Sequence, residues 1–250
     1  MTGLVRAEWA KLFSTRVWIG LLLGSCALAA GFAALFIGFA GSEDGPPAVG
    51  TRAFETLVLS LPANSTILAL VIGVIGATQE FRHRTATPTF LVTPRRTRVV
   101  AAKLIAYLLA GVPYALVVTA VGYLVIAIYA GARGAAPALD GDNLRILGGG
   151  IAALDLFVVL GVGLGTVLRN QVGAIVGGLV YLFVIENLVG GISAISGIYK
   201  WLPGGARDAL TASDQGPDVL GQWQGGLLLL AYGLVFALVG SALTVRRDVV

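Results

Sequence analysis

Residues 146–168 read ILGGGIAALDLFVVLGVGLGTVL, an unbroken apolar run interrupted by one charged side chain, Asp155, about nine residues in. A helix needs about 20 such residues to cross roughly 30 Å of hydrocarbon. The run is apolar on every side, so it is not the one-faced helix of a soluble core. Further runs of the same character occupy residues 17–40, 57–78, 104–130, 172–195 and 224–245. The chain therefore reads as an all-α membrane protein with six transmembrane helices in a single domain over residues 1–250. Composition agrees, with 57% hydrophobic and 12% charged residues, where a soluble domain carries about 25% charged.

Glycine is abundant, at 35 residues. Gly20/Gly24, Gly161/Gly165 and Gly173/Gly177 have the small-xxx-small spacing that lets membrane helices approach. The single cysteine, Cys26, allows no intrachain disulfide, and the single histidine, His83, excludes a His-rich metal site. Leu23-Gly24-Ser25-Cys26 has the look of a lipoprotein cleavage box. Apolar sequence continues well beyond it, as in an uncleaved span.

Charge distribution sets the expected orientation. Twelve of the 17 basic residues fall at the N-terminus, after the second span, at Arg169 and in the C-terminal tail. The opposite loops hold Arg52, Arg133, Arg145, Lys200 and Arg207, outnumbered by acids. The basic side, with both termini, is expected in the cytosol, which makes this a multi-pass protein of the cell membrane. Lipid also accounts for the net charge of +4, so no nucleic-acid partner is needed. Residues 2–16 read as an interfacial helix. Leu4, Val5, Trp9, Leu12 and Phe13 recur at helical spacing, and Arg6, Lys11 and Arg16 are expected to face phosphates and water.

Several chemistries are excluded by missing motifs. None of the three lysines (Lys11, Lys103, Lys200) follows a glycine, so no P-loop exists to bind ATP. There is no H-E-x-x-H, Cys/His cluster or G-x-S-x-G elbow, hence no expected catalytic residue, metal or bound cofactor.

The loop 79–103, QEFRHRTATPTFLVTPRRTRVVAAK, is too long for a simple connector. Thr87-Pro88 and Thr93-Pro94 each pair a possible N-cap with a proline at the first helical position. Between them, Thr89-Phe90-Leu91-Val92 forms a stub with an apolar face. Two readings fit: a docking element, or a solvated basic loop whose arginines reach lipid phosphates.

The pattern Glu80-Phe81-Arg82-x-x-Thr85, then Leu91-x-Thr93-Pro94-Arg95-Arg96-x-Arg98 and Lys103 entering the next helix, resembles the cytosolic loop of type-2 ATP-binding-cassette (ABC) export permeases. Arg6-Ala7-Glu8-Trp9-x-Lys11-Leu12-x-Ser14-Thr15-Arg16 is similar to the start of such permeases, particularly those of high-GC Gram-positive (actinobacterial) bacteria. Trp201-Leu202-Pro203 in the last outer loop also fits, so the resemblance covers nearly the whole chain. It implies that Glu80, Phe81, Arg82 and Thr85 lie beside a coupling helix that inserts into an ATPase. Phe90, Leu91, Pro94, Arg95 and Arg96 would fall in or just after that helix. Arg84 stands where the family often has glycine, which affects the local turn. The resemblance also implies an ATPase subunit carrying ATP and Mg, a second permease chain, an elbow helix at 2–16, and short re-entrant helices after the fifth span. The stretch 188–201 is the expected site of that pair.

Two carboxylates lie inside apolar runs, Asp155 and Glu186. Intramembrane acids default to functional hypotheses. They bind a cationic substrate, relay protons, or hydrogen-bond to neighbouring helices; Glu186-Asn187 also reads as a helix end capping the re-entrant segment. The leading expectation is the permease of an ABC exporter moving a hydrophobic or amphipathic compound such as a drug, antibiotic, peptide or lipid. The alternatives are a proton-coupled secondary transporter using Asp155 and Glu186, and a structural or sensory membrane protein.

Overall fold

Thr51 and Asp140 begin two of the membrane helices. The Thr51 hydroxyl accepts from the Phe54 amide at 3.2 Å, and the Asp140 carboxylate from the Asn143 amide at 2.8 Å. Each satisfies an amide that the helix itself leaves unpaired. The computed structural model describes residues 1–82, 96–192, 195–211 and 220–246. All regular structure among them is helical. The helices are α1 (Thr2–Ser14), α2 (Val17–Gly38), α3 (Arg52–Ser60), α4 (Thr66–Arg82), α5 (Arg96–Ala132), α6 (Gly141–Leu168), α7 (Gln171–Val180), α8 (Glu186–Gly191), α9 (Pro203–Thr211) and α10 (Gln222–Arg246).

Six helical runs are long and apolar enough to cross a membrane: Val17–Gly38, Arg52–Arg82, Thr97–Ala132, Gly141–Leu168, Gln171–Gly191 and Gln222–Leu243. Two are irregular. The second joins α3 to α4 through a 3-10 turn at Leu61–Ser65 that contains Pro62. The fifth joins α7 to α8 through a π-helical turn at Tyr181–Ile185.

The second, third and fourth spans extend beyond the apolar runs that predict them, because hydropathy discards charged residues that the fold pairs. At the start of the second span, Arg52 reaches Glu55 at 3.4 Å, Asp142 at 3.2 Å and the Asn143 side chain at 2.7 Å. At the same end of the bundle, Arg133 donates to the carbonyls of Ile37 and Ala40. The opposite end holds α1, Arg82 bonded to Gln171 at 3.3 Å, and Arg169 stacked over Phe81. Arg169 has a φ of 52°, and Asn170 caps α7 through the Gly173 amide at 3.0 Å, so Arg169-Asn170-Gln171 forms a tight turn.

The fourth span is the hub, and its glycines set its spacing. A Cβ on Gly161 would collide with the Leu70 carbonyl, and one on Gly73 with the Val158 carbonyl. On another face, Gly163 meets the Gly233 carbonyl of α10. The Gly161/Gly165 pair is thus a real seam against the second span. Gly20 and Gly177 have open space beside them, so neither of their pairs forms a seam within the chain.

In the stretch 188–201, helix α8 runs to Gly191 at the end of the fifth span. A 3-10 turn occupies Ser196–Trp201 and a helix Pro203–Thr211. That helix, α9, is buried between α6 and α10: Gly149 abuts the Leu210 carbonyl and Gly225 the Ala206 carbonyl. Its small face, Gly204, Gly205, Ala206 and Ala209, suits this space.

Gly161→Ala is expected to destabilise the protein by about 1–3 kcal/mol, as overpacking against rigid backbone does. Gly20→Ala should stay within about 0.5 kcal/mol of the parent. Thermal unfolding in detergent measures both.

Candidate functional site

The residues that join α1 to the rest of the bundle form a four-charge cluster. Glu8, Glu80 and Lys103 are 3%, 4% and 3% exposed. Lys103 Nζ donates to Glu8 Oε2 at 2.6 Å and to the Gly76 carbonyl at 2.8 Å, and lies 3.8 Å from Glu80 Oε2. Lys11 Nζ completes the ring, 2.6 Å from Glu8 Oε1 and 2.5 Å from Glu80 Oε1. Two acids and two bases cancel, which is the condition under which charges can be buried without a large net penalty. Gly76 matters twice here. Its carbonyl takes a Lys103 proton, and its missing side chain makes room for the Tyr107 ring.

The electrostatics of α1 follow from this ring. Burial pulls the Glu8 carboxyl upward, but Lys103 and Lys11 outweigh it and hold Glu8 below the usual glutamate range. Burial pulls Lys11 downward, and Glu8 with Glu80 overcomes it, leaving Lys11 above the usual lysine range. Lys11 therefore faces the two acids, where the sequence pattern sends it toward phosphates and water.

Glu80 turns its side chain inward beneath α1. Phe81 and Arg82 close the same helix, with Phe81 under the Arg169 guanidinium at 5.9 Å. Arg96 opens α5. Thr85, Phe90, Leu91, Pro94 and Arg95 lie outside the described residues.

Asp155 sits at the middle of α6, and is 9% exposed. Its Oδ1 presses against Gly111 of α5 and, among the described residues, has no hydrogen-bond partner. Gly111 also lines an apolar cavity of about 180 Å³ walled by Leu12, Phe13, Trp18, Leu22, Tyr107 and Tyr114. The Tyr114 hydroxyl shares a hydrogen bond with Ser25.

Glu186 is 3% exposed, and its Oε1 accepts the Gly204 amide at 3.0 Å. It thus caps α9 from the neighbouring helix. The fifth span runs on past it to Gly191, because Asn187 Nδ2 donates to the Phe183 carbonyl at 2.9 Å, inside the π turn. Of the aromatic residues flanking the carboxylates, Tyr107 and Tyr114 line the apolar cavity and Phe183 a second, polar one. Phe157 is core. Among the described residues no three His, Cys, Asp or Glu side chains gather as metal ligands.

Comparison with protein-family models and with curated protein sequences finds no match. Fold and site therefore rest on the chain itself.

Lys103→Met should cost about 3–5 kcal/mol, the usual result of stranding buried charge. Adding Glu8→Gln should recover part of that loss, since the two residues act as a unit. Docking of α1, followed by Trp9 fluorescence, should hold at neutral pH. It should be lost on acidification only as pH falls through the lowered value of Glu8, and at the alkaline limit only above the ordinary lysine range.

Proposed function

We propose that the chain is the membrane-spanning permease of an ATP-driven ABC exporter, working as a pair of permease chains with a separate ATPase. The end of the bundle that carries α1 faces the cytosol, in keeping with its excess of arginine and lysine. Substrate is a hydrophobic or amphipathic compound, to which the apolar cavity beside α1, α2 and α5 offers a binding surface.

The observation that carries this reading is the position of the four-charge ring. It binds α1 to Glu80 near the end of α4 and to Lys103 near the start of α5. Residues 83–95, the middle of the loop 79–103 expected to dock on an ATPase, connect those same two helix ends. A displacement of that segment is passed jointly to the second span, the third span and α1. Glu80 then acts as a positioning residue: its side chain is buried beneath α1, and its contribution to coupling passes through that helix.

One observation favours a second reading. A mid-membrane carboxylate with an unpartnered oxygen, Asp155, is the kind of group that proton-coupled transporters use. The two readings differ in whether an ATPase is required.

The chain co-purified with the ATPase encoded beside it, as wild type, Phe90→Ala and Glu80→Ala, separates them. A stable complex is expected. Its ATP hydrolysis should fall about tenfold in Phe90→Ala, the size of a typical coupling energy. Absence of any associated ATPase, with transport that instead follows a proton gradient and is lost in Asp155→Asn, would overturn the exporter reading.

A further inference from the structure

The two irregular turns of the bundle face one another. The 3-10 turn of the second span and the π turn of the fifth meet across a cavity of about 200 Å³ in the half of the bundle away from α1. Tightening one helix and loosening another opens a space that two regular helices would close. Such interruptions recur at functional sites. The cavity's polar lining comes from Asn64 and Thr66 on one side and Glu186, Asn187, Tyr199 and Arg207 on the other. Ile67, Leu182 and Phe183 supply its apolar part.

Charge balance in the cavity is uneven. Arg207 donates from Nε and Nη2 to Asp208 Oδ1 at 2.9 and 2.7 Å, so its charge is already matched. Tyr199 donates to the other Asp208 oxygen at 2.7 Å. Glu186 accepts the Gly204 amide on Oε1 and is also stabilised by the Tyr181 hydroxyl and, at longer range, by the charge of Arg207, but among the described residues no cation comes within salt-bridge distance. A buried carboxylate in this state favours a partner that brings a positive charge and several N–H donors. Phe183 and Tyr199 add aromatic faces of the kind that attract ammonium groups. Along the same helix, Val180, Phe183, Val184 and Leu188 present an exposed apolar strip that begins at the cavity.

We infer that this cavity receives the protonated amine head of an amphipathic compound, with Glu186 as counter-charge and Asn64, Thr66 and Tyr199 as hydrogen-bonding partners. The apolar part of the compound lies along the Phe183 strip. This names a substrate class for the proposed exporter and rests on that reading for transport, though not for binding.

The test uses the full chain in lipid nanodiscs, with and without the ATPase, titrated with dansylcadaverine and with its neutral analogue N-pentyl dansylamide. The two share a fluorophore and differ in the terminal amine. The wild type should bind the amine about tenfold more tightly than the neutral probe, a difference of about 1.4 kcal/mol. Glu186→Gln keeps an acceptor for the Gly204 amide and should abolish that preference. Asn64→Trp changes an exposed residue at the cavity and should weaken amine binding without touching Glu186. Equal binding of the two probes to the wild type overturns the inference. So does a preference that survives both substitutions. If the preference stands while no ATPase associates, the amine site holds and the exporter reading falls.

Discussion

In hydrocarbon, helices gain nothing from hiding apolar surface, because lipid tails are as apolar as leucine. What remains is close contact, and here the fourth span supplies it. Gly161 and Gly165 bring its backbone against the second span, Gly163 against α10, and Gly149 against α9. Each of these places backbone where a side chain would otherwise stand. Every other feature of the bundle is set by that spacing. Glu80 sits under α1 because the second span is pinned along its length, and Glu186 reaches α9 because α9 is wedged between the fourth and sixth spans.

The two ends of the bundle solve the problem of charge differently. At the end away from α1, Arg52 and Arg133 reach acids, an amide and backbone carbonyls in a partly open setting. At the α1 end, Glu8, Glu80 and Lys103 are removed from water, and the partly exposed Lys11 completes a neutral ring. Open pairs contribute little to stability. A buried ring contributes specificity, since any shift of α1 along the bundle would separate charges that water no longer screens. That makes the N-terminal helix part of the rigid body, where its sequence suggests an independent element resting on lipid.

The number of spans was legible because hydropathy over about 20 residues is a strong signal. Their ends were less so. Arg52, Glu55 and Lys103 were trimmed from the runs as charges, yet each is paired in the fold. Glu8 and Lys103 were visible as residue types, but nothing local links positions 95 residues apart. The one available hint was an acid on the otherwise apolar face of residues 2–16. Pro62 lies in the irregular turn of the second span but was not read as a break, and the π turn at Tyr181–Ile185 has no sequence signature of its own. Asp155 was legible as an intramembrane acid, and its missing partner only from coordinates. Glu186 was legible too, but its cap on Gly204 depends on a helix placed by packing rather than by local propensity.

The buried ring also orders events on the ribosome. Glu8 is paired within its own helix by Lys11, yet the second lysine of the ring, Lys103, is made 95 positions later. At about 5–20 residues per second, the N-terminal helix waits several seconds for a partner. During that interval Lys11 is the one ring lysine beside Glu8, and the helix stays in solution or on the membrane surface. It docks only once the second span is in place and the third has begun to emerge. The first and last acts of assembling this half of the molecule therefore involve the same helix.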